Sequence, residues 1–218
     1  MFHVKPLEAP ASVRARFGDA TPKVERFAGW LVGPGIERGL LGPREADRIW
    51  SRHLLNCAVL EPFLPVGASA CDLGSGAGLP GVVLALQRPD LRMTLLEPLL
   101  RRATFLEEVV SDLGLANVVV VRARAEDYRH QHPDHDVVVA RAVAPIDRLA
   151  GWALPLVRPG GELVALKGST AAEELVAARH FLDRVGAADR EVVTVGEGED
   201  ATHVVRIVTS PHRAREGR

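Results

Sequence analysis

The sequence predicts an α/β fold with a seven-stranded, mostly parallel sheet, preceded by an N-terminal helical extension. After residue 65, short β-rich runs alternate with helical stretches, a pattern typical of a parallel sheet with helices on both faces. Runs such as Val118–Val121 and Val137–Val139 are continuously apolar, as expected for strands covered on both faces. The predicted strands are 69–73, 92–97, 117–122, 136–140, 162–166, 190–195 and 203–208.

Composition fits an ordinary globular protein. The 218 residues are 47% apolar and 25% charged, so the chain can bury a core that needs neither disulfides nor a structural metal. Because the pattern changes from helical to alternating near residue 65, we divide the chain into three parts. These are a helical extension at 1–65, a cofactor-binding α/β domain at 66–210 and a basic tail at 211–218.

Two helices are predicted in the extension. Thr21 and Pro22 form a good N-cap and first turn, and apolar residues follow at helical spacing until Gly33-Pro34-Gly35, which should end the helix. A second helix should run from about Pro43 to Glu61-Pro62. Its predicted buried face consists of Ala46, Ile49, Trp50, His53, Cys57 and Leu60.

Candidate site residues are expected just after the strands. Ligands of parallel sheets bind at the carboxyl ends of the strands, near the point where the strand order reverses. The last two strands are joined only by Gly196 to Asp200, too short for a helical crossover, so they should form an antiparallel hairpin.

Several classes of protein are disfavoured. Cys57 and Cys71 are too few for a disulfide framework or a four-ligand zinc site. His130, His132 and His135 lie in a polar segment and are interpreted as solvated, so no metal is expected. No apolar run reaches the ~20 residues that span a bilayer, and the N-terminus does not resemble a signal peptide. We therefore expect a cytoplasmic protein with no membrane partner.

A glycine-rich loop follows the first strand and carries the strongest signal for a ligand. Glycines allow a tight turn and let a ligand approach the main chain. Dinucleotide sites use G-x-G-x-x-G, whereas here the third glycine comes one residue earlier. The G-x-G-x-G spacing after an acidic residue is that of class I S-adenosylmethionine methyltransferases, which have a Rossmann-like fold. The loop supplies Asp72, Gly74, Gly76 and Gly78 as candidate cofactor residues, and it reads Asp72-Leu73-Gly74-Ser75-Gly76-Ala77-Gly78-Leu79-Pro80-Gly81.

Acidic residues follow the next two strands. Glu97 ends the second strand, 23 residues after Gly74, where a carboxylate can accept hydrogen bonds from both ribose hydroxyls. That spacing suits a nicotinamide dinucleotide equally well. The segment Arg124-Ala125-Glu126-Asp127 follows the third strand, where an adenine ring would lie.

Arg141 ends the fourth strand, where a methyl acceptor should meet the cofactor. The Asn/Asp-Pro-Pro-Tyr motif of many amine methyltransferases is missing there, which favours a ring nitrogen such as N7 of guanine. Such an atom needs no general base, so catalysis reduces to alignment and exclusion of water. As a catalytic residue, Arg141 could donate to guanine O6 or to the methionine carboxylate.

Lys167 ends the fifth strand and is a second candidate catalytic residue. It is interpreted either as a phosphate contact or as a simple cation at a strand terminus.

Together these motifs resemble the RsmG/GidB family of bacterial 16S ribosomal RNA guanine-N7 methyltransferases. The resemblance covers about residues 45–170 and includes the leucine, proline and glycine that extend the glycine loop. Asn56-Cys57 stands where the family commonly has Asp-Ser, and Ala140 replaces a serine. The motifs that carry it are Arg52-His53-Leu54-Leu55, Asp72 to Gly81, Arg124-Ala125-Glu126, Ala140-Arg141-Ala142 and Leu166-Lys167-Gly168.

The resemblance implies a function and a set of site residues. It implies S-adenosylmethionine as cofactor and methylation of one guanine of small-subunit RNA near the decoding region, guanine 527 in standard 16S numbering. The implied cofactor residues are Gly74, Leu79, Ala125, Glu126 and Arg141.

The expected partner is 16S rRNA or the small ribosomal subunit, bound by a monomer. With a net charge of −1, the chain should bind RNA through a local basic patch. Candidate RNA-binding residues are Arg52, His53, Arg101, Arg102 and Lys167. His53 is interpreted equally well as a packed, hydrogen-bonded residue, and the arginines at 101 and 102 as a solvated face.

Two other functions are compatible with such a sheet. An NAD(P)-dependent oxidoreductase would need G-x-G-x-x-G and a proton relay near the nicotinamide, and neither is evident. A non-catalytic, nucleotide-binding module associated with the ribosome would keep the fold without turnover.

Overall fold

The computed structural model describes residues 4–131, 134–141, 144–196 and 201–211. All seven predicted strands are confirmed, with shifts of a few residues at their ends. They form a single seven-stranded sheet in the order β3-β2-β1-β4-β5-β7-β6. The strands are Ser69–Leu73 (β1), Arg92–Leu96 (β2), Val118–Val121 (β3), His135–Arg141 (β4), Val157–Lys167 (β5), Ala187–Val195 (β6) and Thr202–Thr209 (β7).

The strand directions are also as predicted. From β3 to β5 every neighbouring pair is parallel, and β7 is antiparallel to both β5 and β6. The last two strands therefore form the expected antiparallel hairpin. Of the predicted connecting loop, 197–200 lies outside the described residues.

Helices cover both faces of the sheet. The α-helices are Ala11–Phe17 (α1), Thr21–Trp30 (α2), Asn56–Ala58 (α3), Gly81–Gln87 (α4), Leu100–Leu113 (α5), Ala125–Tyr128 (α6), Ile146–Ala153 (α7), Ala171–Ala177 (α8) and Arg179–Arg184 (α9). The 3₁₀ segments are Gly18–Ala20, Pro43–Arg48, Glu61–Phe63 and Leu154–Leu156, and the π-helical segments are Leu31–Gly35 and Ile49–Leu55. No helix within the described residues has the length and apolarity needed to cross a membrane.

The N-terminal extension shares a core with one face of the sheet. Phe27 and Leu31 of the extension are buried in the same apolar cluster as Leu84 of α4 and Phe105 of α5. A second cluster on the other face combines strand residues with residues of α6, α7 and α9 and Ala171 of α8. Polar contacts also hold the extension: Arg26 donates two hydrogen bonds to Asp112 of α5.

The predicted end of the first helix is wrong. The chain does not stop at Gly33-Pro34-Gly35 but continues through them as a π-helical segment, and Leu40 N–H donates to the Gly35 carbonyl. Proline lacks an N–H, and its ring would clash with the carbonyl four residues earlier in an α-helix. The wider π turn relieves that clash, so the helix continues through the proline instead of ending.

The predicted single helix from Pro43 to Glu61-Pro62 is also wrong. The segment changes from 3₁₀ to π geometry at Arg48, which has φ −109° and ψ 9°, and then passes through α3 into another 3₁₀ turn. Of the predicted buried face, Ile49, His53, Cys57 and Leu60 are buried, whereas Ala46 and Trp50 are half-buried. Side chains of this interrupted helix contact the site, as described below.

Candidate active site at the carboxyl edge of the sheet

The glycine loop turns directly after β1. Gly74, Gly76 and Gly78 have φ values of +71°, +57° and +92°, a region that side-chain-bearing residues rarely adopt. A Cβ at Gly78 would lie only 2.7 Å from Val82 Cγ2 of α4. The loop therefore requires glycine both for its backbone angles and for its close packing on α4.

Asp72 lies beneath this loop and is fully buried. Its Oδ2 accepts a hydrogen bond of 2.9 Å from Gly81 N–H, and Ser75 Oγ donates to the Asp72 carbonyl oxygen at 2.9 Å. Burial raises the pKa of Asp72 to about 7, opposed by the Gly81 hydrogen bond and the positive charge of Arg141. Within the described residues, Asp72 Oδ1 has no hydrogen-bond partner. The loop thus contains one buried acceptor for a polar or cationic ligand group.

Glu97 follows β2 and fastens the glycine loop to it. The carboxylate is buried; its Oε2 accepts from Gly76 N–H at 3.0 Å and its Oε1 from Leu99 N–H at 2.9 Å. Arg102 Nη1 lies 3.9 Å from Oε2. Because each carboxylate oxygen can accept two hydrogen bonds, these contacts leave capacity for a ligand's hydroxyl groups.

Ala125 and Glu126 lie on the same side of the site as Glu97. They open α6, directly after β3, and β3 is the neighbour of β2 in the sheet. Ala125 is buried and Glu126 is exposed. Leu79, inside the glycine loop, is buried.

Arg141 ends β4, next to β1, and contacts the N-terminal extension. Its Nη1 lies 2.9 Å from His53 Nδ1, and His53 Nε2 lies 2.7 Å from Glu45 Oε2. Burial raises the pKa of the Cys57 thiol to about 12, although the positive charge of Arg141 opposes this. Glu45, His53 and Arg141 therefore form one polar cluster with the buried Cys57 and Asp72, on which the charge of Arg141 acts. The cluster lies at the switch point of the sheet, where the strand order reverses between β1 and β4.

Sequence reasoning missed Glu45 as a member of this cluster. Glu45 and His53 are eight residues apart, a spacing that does not bring side chains together on a regular helix. The Arg52-His53 motif was the signal that this segment contacts the site, but not through which residues. Asn56, which follows it, donates to Thr202 Oγ1 at 2.5 Å and so joins the extension to β7.

Lys167 is largely enclosed by protein. Its Nζ donates to the Ala144 carbonyl at 2.8 Å and lies 2.6 Å from Glu174 Oε2 of α8, and the side chain is 8% exposed. Lys167 therefore connects the end of β5 to the segment after β4. Ala142, part of the motif around Arg141, lies outside the described residues, as does Val143.

The candidate RNA-binding residues do not share one environment. Arg52 has a 59% exposed side chain, with its Nε 3.9 Å from Glu45, and Arg101 is exposed at the start of α5. Arg102 is half-buried beside Glu97. His53 is buried with both ring nitrogens engaged by protein. Only the first two arginines, together with the outer part of Arg102, face solvent freely.

The three histidines considered for metal binding differ from one another. No group of possible metal ligands occurs among the described residues, and His132 lies outside them. His130 is exposed, as predicted. The solvated interpretation is wrong for His135, which opens β4, is buried, and hydrogen-bonds Ser69 Oγ and Tyr128 OH.

The comparisons with known proteins decide the family. A family model described as GidB, rRNA small subunit methyltransferase G, matches residues 20–205. The chain belongs to this family. The family match covers most of the sheet and most of the extension, so the polar cluster that joins them lies within it.

Curated relatives of this chain align with most of its length. It is 55% identical over 201 residues to a ribosomal RNA small subunit methyltransferase G of Streptomyces avermitilis, covering 91% of this chain and 84% of that protein. The protein of that name from Rhodococcus jostii is 48% identical over 224 aligned positions, covering 98% of each.

Solved structures confirm the predicted class I methyltransferase fold. A precorrin-6y C5,15-methyltransferase from Geobacter metallireducens superposes with a TM-score of 0.54 at 17% identity, covering 79% of this chain and 91% of that one. A SAM-dependent O-methyltransferase from Thermotoga maritima gives 0.54 at 16%, covering 74% and 67%. At these identities the likeness concerns the fold alone.

Proposed function

We propose that this protein transfers a methyl group from S-adenosylmethionine to N7 of one guanine of small-subunit ribosomal RNA. The observation that carries the proposal is the polar cluster, in which Arg141 at the end of β4 contacts His53 and its charge acts on the buried Asp72 under the glycine loop. Family membership and the names of the curated relatives support an rRNA substrate. The resemblance of the motifs to the family extends this proposal to guanine 527 in standard 16S numbering.

The residues present fit this cofactor. Asp72 Oδ1, buried and without a partner among the described residues, can accept from an ammonium group directly or through water. Glu97 can receive the ribose hydroxyls, and Ala125 and Glu126 can border the adenine. Gly74, Gly76, Gly78 and Leu79 form the cradle. When bound, S-adenosylmethionine supplies an electrophilic methyl group.

Guanine N7 is proposed as the acceptor because Cys57 and His53 of the cluster are poorly placed to remove a proton. Guanine N7 has a free lone pair, so its methylation requires alignment and not proton removal. Burial raises the pKa of the Cys57 thiol, and both ring nitrogens of His53 are engaged. Arg141 remains as a donor that can recognise guanine O6 or the methionine carboxylate, and we assign it the catalytic role.

The RNA should approach over the exposed basic residues beside this edge. Arg52 and Arg101 are the accessible candidates for phosphate contacts, and Arg102 is half-buried beside Glu97. Lys167 is held by Glu174 and Ala144, so a phosphate contact there requires it to leave that pairing. Residues 212–218 of the basic tail lie outside the described part of the chain.

A methyl-transfer assay tests the proposal. Purified protein, labelled S-adenosylmethionine and either 16S rRNA or small subunits from a strain lacking the gene are combined, and the modified base is mapped by mass spectrometry. We expect one N7-methylguanine, with kcat/KM about a hundredfold lower for Arg141→Ala. Arg158→Ala, at the opposite end of the sheet, serves as the matched control. Tight cofactor binding without transfer to either substrate would favour the non-catalytic binding module. Methylation at another atom would overturn the assignment of N7 as the acceptor.

A further inference from the structure

A chain of three side chains connects the N-terminal extension to the candidate catalytic arginine. Glu45 Oε2 lies 2.7 Å from His53 Nε2, and His53 Nδ1 lies 2.9 Å from Arg141 Nη1. The histidine ring is buried, whereas Glu45 is half-buried. Arg141 is 88 residues from His53 in sequence, so only the tertiary fold brings them together.

Chemistry fixes the direction of both hydrogen bonds. A guanidinium can only donate, so His53 Nδ1 must be the acceptor from Arg141. The proton of the neutral ring then belongs to Nε2, which donates to the Glu45 carboxylate. Burial and the charge of Arg141 lower the pKa of His53, although Glu45 opposes them, and the bond to His53 lowers the pKa of Glu45. A neutral histidine with a single allowed tautomer is therefore held between a fixed anion and a fixed cation.

The interrupted helix makes this contact possible. In a continuous α-helix, residues eight apart are separated by ~12 Å along the axis. Glu45 lies instead on the 3₁₀ segment Pro43–Arg48 and His53 on the π segment Ile49–Leu55. The change of geometry at Arg48 lets the two side chains meet, and π segments are frequent at functional sites.

We propose that His53 is a positioning residue, which together with Glu45 sets the orientation of the Arg141 guanidinium toward the substrate. The inference rests on the proposed function and deepens it. Arginine has five N–H donors in a rigid fork. A hydrogen bond from one N–H of Arg141 to His53 therefore fixes the directions of its other N–H groups. A donor held in place before the ligand arrives loses less conformational freedom when it binds.

Two substitutions at His53 separate orientation from packing. In His53→Asn, the amide oxygen takes the place of Nδ1 and can still accept from Arg141. In His53→Gln, the longer side chain places its polar end near Nε2, facing Glu45 and not Arg141. We expect His53→Asn to keep kcat within about threefold of wild type and His53→Gln to lose about thirtyfold, with KM for RNA nearly unchanged. A role in packing alone gives the opposite order, because glutamine is closer to histidine in volume.

Variants of the acidic partner provide the control. Glu45→Gln should keep a hydrogen bond to the ring but remove its charge, giving an intermediate kcat. Asp47→Asn makes the same change of charge at an exposed position of the same 3₁₀ segment and should leave kcat unchanged. Thermal melting of each variant verifies that it is folded.

Nitrogen NMR of the histidines gives a readout that does not depend on activity. In ¹⁵N-labelled protein at neutral pH, His53 should appear as the Nε2–H tautomer, with His53→Asn assigning the signal. Arg141→Ala should move the Nδ1 resonance. A proton on Nδ1, or equal kcat for His53→Asn and His53→Gln in an active enzyme, would overturn the inference. If wild type transfers no methyl group, the proposed function fails, whereas the NMR result still decides whether the three side chains are connected as described.

Discussion

Asp72 and Gly81 fasten the two ends of the glycine loop to each other. The Gly81 amide donates to Asp72 Oδ2 at 2.9 Å. This hydrogen bond joins the end of β1 to the first residue of α4 across the loop. Gly81 has no room for a side chain, because a Cβ there would lie 2.6 Å from Asp72 Oδ2 and 2.4 Å from Leu95 Cδ2. The proposed cofactor cradle thus depends on a glycine outside the G-x-G-x-G pattern.

Gly81→Ala should therefore damage both stability and cofactor binding. The added methyl group must push Asp72 or Leu95 away, which we expect to cost about 2 kcal/mol of unfolding free energy. The affinity for S-adenosylmethionine should fall at least tenfold, as measured by calorimetry, with urea unfolding giving the stability. Gly33→Ala is the matched control, since a Cβ there meets nothing within 4 Å. Wild-type affinity in Gly81→Ala would show that the loop does not hold the cofactor.

Asp72→Asn should make the ligand-free protein more stable at alkaline pH. Because burial raises the pKa of Asp72 to about 7, the folded state binds more protons than the unfolded state between the ordinary carboxyl pKa and that value. The unfolding free energy of wild type therefore decreases as pH rises through this window. Asparagine removes this dependence and should gain on the order of 2 kcal/mol at pH 8.

The same variant should bind S-adenosylmethionine at least tenfold more weakly, since the buried acceptor beneath the loop is lost. Urea unfolding from pH 5 to pH 8 gives the stability, and calorimetry gives the affinity. Asp147→Asn, on the exposed side of α7, should alter the unfolding free energy by less than about 0.5 kcal/mol. A parallel pH profile for wild type and Asp72→Asn would contradict the buried-carboxylate explanation.

Local sequence signals were sufficient for the strands and the glycine loop. Continuous apolar runs predicted the strands, and Val137–Val139 is buried as expected. The prediction of cover on both faces is wrong for Val118–Val121, because β3 is an edge strand and Val119 is 61% exposed. The acidic residue before G-x-G-x-G places that turn after β1. The antiparallel hairpin followed from the length of one connection. Each of these features depends on residues close together in the chain.

Contacts between segments that are distant in the chain could not be predicted from such local signals. Glu45 meets His53 because the helix changes geometry at Arg48, and no apolar periodicity records that change. From the sequence, Lys167 is either a phosphate contact or a cation at a strand terminus, and nothing in it indicates the partner Glu174 on α8. Side-chain pairing across elements is set by the assembled fold, so sequence reasoning named the candidate residues but not their partners.

Removing Glu174 should destabilise the protein by leaving Lys167 without its partner. An enclosed cation that loses its counter-ion is costly, and because Glu174 is 26% exposed we expect about 2 kcal/mol for Glu174→Ala. Glu173→Ala, exposed on the same turn of α8, should change stability by less than about 0.5 kcal/mol. Chemical denaturation measures both. Equal effects of the two substitutions would mean that the ion pair contributes nothing.

A double substitution separates the structural from the proposed functional role of Lys167. Replacing both partners by methionine removes the charges together, which should recover most of the stability lost in Glu174→Ala. If Lys167 contacts RNA or the reacting groups, the double variant should still lose at least tenfold in kcat/KM. Full activity in a stable double variant would make Lys167 purely structural.

The salt dependence of RNA binding tests which arginines meet phosphates. Each phosphate neutralised by the protein contributes slightly less than one to the slope of log K against log salt. Arg101→Ala should therefore lower the slope by about one between ~50 and ~200 mM salt, without altering which guanine is methylated. Arg184→Ala, exposed on α9 against the other face of the sheet, should leave the slope unchanged. Filter binding with an rRNA fragment gives both slopes. An unchanged slope for Arg101→Ala together with a reduced one for Arg184→Ala would move the RNA-binding surface to the opposite face.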